Sequence, residues 1–156
     1  MKIVNKAGWL AVMVVLAATP LGAGAQQWSP EQQEVWEAEV ACLESQVEPI
    51  DLQARKACMH PDFTGWGVEG PVPSGFPERE LEYFYARNTV KDVEAVPLRI
   101  LVEGDMAVIQ LMVRDVSSLD GGADEAVWVA WTDVMWRDNG VWRWIADHGH
   151  LLPGPD

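Results

Sequence analysis

The chain has 156 residues, with 11 basic against 24 acidic side chains and a formal net charge of −13. That length holds one domain with a continuous core and no need of a structural metal. The charge repels phosphate backbones and anionic lipid surfaces, which argues against nucleic-acid and membrane-surface binding.

Lys2 and Lys6 give the N-terminus a basic start, Trp9 to Ala18 is apolar, and Ala23-Gly24-Ala25 offers small residues at a cleavage position. Residues 1–25 therefore read as a signal peptide, since the apolar stretch is too short to span a bilayer. The alternative is a retained N-terminal anchor. The expectation is a secreted or periplasmic protein made of one domain, residues 26–156, with no membrane contact after cleavage.

Ser29-Pro30-Glu31-Gln32 opens a first helix, with Ser29 as cap, Pro30 at the first position and Gln32 reaching back. Trp36, Val40, Leu43 and Val47 form its apolar stripe, and Pro49 stops it. Asp51 caps a short second helix through Met59, which His60-Pro61 ends. Asp62 to Trp66 reads as a short strand. A loop rich in Gly and Pro follows, and a third helix runs from Pro77 to Asn88 with Leu81, Phe84 and Tyr85 on one face.

From there the pattern is β. Asp92–Val102 and Met106–Val116 turn at Gly104-Asp105, and Ala126–Arg137 and Val141–His150 turn at Asn139-Gly140. Five of the nine tryptophans lie in this last pair of strands. Helices followed by strands give an α+β domain: three N-terminal helices packed on a strongly curved antiparallel sheet of about four long strands. The two cysteines, Cys42 and Cys58, fall on successive helices. In an oxidising compartment they would form a disulfide, and otherwise remain two buried thiols.

Three stretches resemble the nuclear transport factor 2-like superfamily, which includes SnoaL-like cyclases and ketosteroid isomerases. They are His60-Pro61-Asp62-Phe63-Thr64-Gly65-Trp66; Pro97 with Ile100 to Ile109; and Trp131-Thr132-Asp133-Val134 with Asn139-Gly140-Val141-Trp142 and Asp147-His148-Gly149. The resemblance spans nearly all of residues 30–150. It implies a cone-shaped sheet around one long helix, a pocket at the open end, and frequent dimers through the outer sheet face. It does not imply one reaction. The isomerases' general-base Asp would fall near Gly67, with Glu69 the nearest carboxylate, so that mechanism lacks its residue here. The superfamily's epoxide hydrolases use an Arg with two Asp, for which Arg114, Asp115 and Asp133 offer the types.

A two-residue turn at Asn139-Gly140 sets Asp138 opposite Val141. Continued without interruption, that register sets Trp131 opposite His148 and Met135 opposite Trp144. Trp131, Asp133, Met135, Trp144, Ala146, His148 and His150 then share one face, with Asp147 on the other. Asp133 and His148 become candidate catalytic partners, a carboxylate and an imidazole in an aromatic setting. The alternative is a structural pair. Trp66, Tyr83, Trp131, Trp144 and His150 become candidate ligand contacts, with Phe84 and Tyr85 near the mouth. Trp128 and Trp136 fall on the opposite face as candidates for a homodimer contact. His148 and His150 with Asp133 could hold a metal, but two imidazoles fall short of a closed ligand set; no metal and no cofactor are expected.

Three functions fit these residues. One is an exported binder of a small apolar organic molecule in an aromatic-lined pocket. The second is an enzyme doing general acid–base chemistry on such a molecule. The third is a homodimeric interaction module.

Overall fold

A computed structural model describes residues 27–66, 73, 75 and 78–153. The expected signal peptide and the positions Gly67 and Glu69 lie outside these. The elements run α1 (Pro30–Glu44), α2 (Leu52–Ala57), β1 (Met59–Trp66), α3 (Glu78–Arg87), β2 (Asn88–Glu103), β3 (Met106–Leu119), β4 (Glu125–Asp138) and β5 (Val141–Leu151). The domain is α+β, as the order of elements leads one to expect.

The sheet has five strands in the order β1-β5-β4-β3-β2. It is mixed rather than antiparallel, because β1 runs parallel to β5. The strand also begins at Met59, before His60-Pro61, where the sequence suggests a helix stop. Proline lacks a ladder donor, and the edge position of β1 tolerates that loss. The β2 to β5 strands are otherwise the long antiparallel meander expected, with β2 starting four residues earlier, at Asn88.

Ser29 caps α1 in a capping box: its hydroxyl accepts from Gln32 N while the Gln32 side chain accepts from Ser29 N. The helix lies against β2 and β5. Its buried face is Val35, Glu39, Cys42 and Leu43, at spacings of four, three and one. This departs from the expected stripe: Trp36 and Val40 are only half-buried. The centre of the true stripe is an acid, so an apolar count places the face one residue off.

Asp51 Oδ1 accepts from Ala54 N and caps α2. The Cys42–Cys58 disulfide ties the C-terminal half of α1 to the end of α2, with 5.7 Å between Cα atoms. Val35, Ile100, Ile109, Leu111 and Met135 are nearly inaccessible and form the middle of the core. Among the described residues no helix is long and apolar enough to cross a membrane.

Candidate functional site

The β4–β5 hairpin sets the site. Asn139 (φ 51°) and Gly140 (φ 80°) make the two-residue turn that positive φ at both positions requires. The expected register holds from Asp138↔Val141 through Met135↔Trp144. A β-bulge then intervenes. Val134 pairs with Ala146 rather than Ile145, so Ile145 is the extra residue. Beyond it Asp133 lies opposite Asp147, Thr132 opposite His148, and Trp131 opposite Gly149.

One inserted residue exchanges the two faces of a strand. Asp147 therefore turns inward beside Asp133, and His148 turns out. His148 and His150 are exposed, and their ladder partners Thr132 and Ala130 lie on the outer face. The expected Asp133–His148 pair does not exist, and neither does a His148–His150–Asp133 cluster. Among the described residues no group of His, Cys, Asp and Glu could hold a metal ion.

In place of the imidazole the interior holds carboxyls. Glu39 from α1 is 0% exposed and Asp133 from β4 is 6% exposed. Trp144 Nε1 donates to Glu39 Oε2 at 2.6 Å. Glu39 Oε1 receives no donor while both carboxyls are ionised; with one proton between them, the Glu39 and Asp133 carboxyls hydrogen-bond. Burial drives this. Desolvation raises Glu39 from 4.5 to about 6, opposed by the bonds from Trp144 and Asp133. It raises Asp133 further, aided by the negative charges of Glu39 and Asp147. The two carboxyls therefore share one proton in a hydrogen bond between them.

Asp147 is less deeply placed, and desolvation lifts it from 3.8 to about 6 against the attraction of Arg55. Its seat is made by Gly65 of β1, its ladder partner: a Cβ there would stand 2.0 Å from Asp147 Oδ1. Asp115 of β3 also points inward; burial raises its pKa, while a hydrogen bond with Ser117 lowers it. Burial likewise raises the Tyr85 phenol of α3, whose hydroxyl bonds Gln46 Oε1 at 3.0 Å.

Arg55 of α2 is the cation whose charge acts on all four carboxyls. It stacks 4.5 Å over the Trp144 ring, and its Nη1 donates to Cys42 O at 3.1 Å. The disulfide and Arg55 thus fix the same corner, where α1 and α2 meet above Trp144.

The inner sheet face changes character along its length. At the end marked by Ile100, Ala107, Ile109 and Met135 it is filled. At the other end Val93, Ala95, Asp115 and Trp131 are half-buried, and Val127 is 38% exposed. Asp133 and Asp147 lie in register with Ile109, where the filled end stops, and Asp115 lies six residues further along β3 at the accessible end. Trp131 lies flat on β5: a Cβ on Gly149 would meet its ring at 2.5 Å.

Of the residues singled out in the sequence, the structure joins Asp133 and Trp144 through Glu39, with Trp131 one ladder step from Asp133, and sets Asp115 and Tyr85 further along, within the field of Arg55. It places the others elsewhere. Tyr83 is 65% exposed on the solvent side of α3, and Trp66 is 41% exposed on the outer sheet face beside His148. Arg114 pairs with Asp92 at 3.2 Å on that face, so it does not join Asp115 and Asp133; Arg55 takes that place. Sequence reasoning missed Glu39, Arg55 and Asp147. One signal was available: if Cys42 bridges Cys58, its helical face is inward, and Glu39, three residues earlier, shares that face.

No family model and no curated relative matches the sequence. Solved structures do match. A conserved protein from Planctomyces limnophilus is 17% identical, with a TM-score of 0.67, over 80% of this chain and 98% of its own. A ketosteroid isomerase-like protein from Erwinia carotovora atroseptica is 14% identical, TM-score 0.66, over 81% and 100%. An NTF2-like protein from Cytophaga hutchinsonii is 13% identical, TM-score 0.66, over 80% and 100%. At these identities the likeness concerns the backbone, and it agrees with the three motif stretches: the chain has the nuclear transport factor 2-like fold.

Proposed function

We propose that the protein binds a small, largely apolar organic molecule at the accessible end of its inner sheet face. Val93, Ala95, Val127 and Trp131 would supply the walls, and Asp147, Asp115 and Arg55 the polar anchors. The observation that carries this reading is the position of Asp147, an incompletely buried carboxyl where the inner face passes from filled to accessible, one ladder step from Trp131. Apolar walls with a few convergent polar groups are the usual composition of a small-molecule site. The same geometry serves acid–base chemistry: a carboxyl near 6, like Asp147, exchanges protons readily at neutral pH. Asp147 replaces His148 as the group to which that role is assigned.

The test is intrinsic fluorescence during titration with a panel of hydrophobic small molecules. A ligand that shelters Trp131 shifts the emission of the wild type, and less so that of Trp131→Phe. No response across a broad panel refutes the reading.

A second reading concerns the outer face, where a homodimer is proposed. The ladder places Trp66, His148, Thr132, Gln110 and Arg99 in one row across it, and Trp136, Met106 and Leu101 are exposed nearby. Apolar and aromatic exposure of this kind favours association. Light scattering decides it: a strict monomer at micromolar concentration rules the dimer out. Export is part of the same proposal, and the Cys42–Cys58 bridge supports it. N-terminal sequencing of the periplasmic or secreted protein should begin at Gln26.

A further inference from the structure

The outer sheet face is chemically unlike the rest of the chain. The sequence has 24 acidic residues. Yet among the described residues no carboxylate occupies the outward positions of β3 from Met106 to Val116, of β4 from Ala126 to Trp136, or of β5 from Arg143 to His150. Acids border the face instead, on β2 at Asp92, Glu94 and Glu103 and in the last hairpin at Asp138. Tryptophan, methionine and arginine with few acids is the composition of an interface centre. A second copy is the occupant that fits. Two chains of charge −13 repel one another, and this face lets them meet without setting acid on acid. The face also has a centre. β4 is the third of the five strands, and Thr132 is the middle residue of the row Trp66, His148, Thr132, Gln110, Arg99. Along β4, Trp128 and Trp136 stand four residues to either side of Thr132, while Ala130 and Val134 keep the middle of the strand low. Arg114 is ion-paired with Asp92, and Arg143 with Asp138. Arg99 is exposed and has no ion-pair partner among the described residues.

We propose that two copies join face to face about a two-fold axis that runs along β4 and passes at Thr132; the arrangement rests on the homodimer reading above. Such an axis exchanges β5 with β3 and β1 with β2, and makes every contact away from it occur twice. Thr132 meets the partner's Thr132, His148 meets the partner's Gln110, and Trp66 meets the partner's Arg99. The imidazole and the amide are hydrogen-bond partners. The guanidinium that lacks an ion pair gains the face of an indole. An axis laid across the strands would instead set Arg99 on the partner's Arg99 and His148 on the partner's His148, and like groups so placed disfavour that arrangement.

The test is cysteine cross-linking with a short bis-maleimide, alongside light scattering of the wild type. Cys42 and Cys58 are bridged to each other and do not react. Thr132→Cys is expected to cross-link to itself. Arg99→Cys and Trp66→Cys are each expected to stay uncross-linked alone and to join when the two variants are mixed. Ala130→Glu, which sets two carboxylates together at the axis, should raise the dimer dissociation constant at least about tenfold, whereas Tyr83→Glu on the solvent side of α3 should leave it unchanged. A monomeric wild type overturns both the dimer reading and this arrangement. A dimer in which Thr132→Cys does not cross-link, or in which Arg99→Cys joins itself rather than Trp66→Cys, overturns the arrangement while the dimer reading stands. Equal effects of the two glutamate substitutions also overturn it.

Discussion

Replacing Glu39 by Gln should stabilise the protein at alkaline pH and leave it nearly unchanged in acid. In the folded chain the Glu39 carboxyl is raised from 4.5 to about 6, so the folded state holds its proton more tightly than the unfolded state does. Such a group adds stability below the unfolded value, and that stability is lost as the pH rises through the folded value. The difference corresponds to about 2 kcal/mol, at roughly 1.4 kcal/mol per decade of acidity. In Glu39→Gln the side-chain carbonyl still accepts from Trp144, and the amide donates to Asp133. The charge assistance of the bond from Trp144 is already contained in that difference, because this bond opposes the rise. The variant should therefore gain about 2 kcal/mol over wild type at about pH 8 and differ little from it at about pH 4, a swing of about 2 kcal/mol. Urea unfolding of both proteins at the two pH values, with the disulfide intact, measures this. A difference between the proteins that does not change with pH refutes the reasoning, as does a variant whose relative stability declines as the pH rises.

Gly149→Ala should cost about 1–3 kcal/mol through overpacking, because the added Cβ meets the Trp131 ring at 2.5 Å; in a Trp131→Leu background the same substitution should cost less than about 1 kcal/mol, and an unchanged cost there would show that Trp131 is not the obstacle. The Cys42→Ala/Cys58→Ala variant should lose about 3 kcal/mol in the chain-entropy account of a cross-link between residues 16 apart, read as a lower urea midpoint; a loss under about 1 kcal/mol would mean that α1 and α2 hold their places without the bridge.

Much of the architecture is legible in the sequence because its signals are local. Ser29-Pro30 and Gln32 announce α1, and Asn139-Gly140 fixes the last hairpin as far as Met135↔Trp144. The parallel β1 is not legible, because its pairing with β5 joins segments far apart in the chain and only the tertiary fold decides it. The site was half legible for a similar reason. Asp133 and Trp131 follow from strand alternation, but Ile145 carries no mark of a bulge, being neither Gly nor Pro, and the error it causes passes to every later residue of β5. Glu39 was hidden by its chemistry. An acid in the middle of a helix reads as solvent-facing, and the partners that permit its burial, Trp144 and Asp133, lie some hundred residues away.

The extra residue in β5 also bears on how such a chain could change its chemistry. Asp147 and His148 are adjacent in sequence and separated by the thickness of the sheet. Pairing Ile145 with Val134 in an unbroken ladder would bring His148 and His150 inside and expel Asp147 with no change of sequence, whereas deleting Ile145 would keep Asp147 opposite Asp133. A carboxyl interior and an imidazole one are thus a single step of register apart, on a scaffold whose turn, cap and cross-link would be untouched.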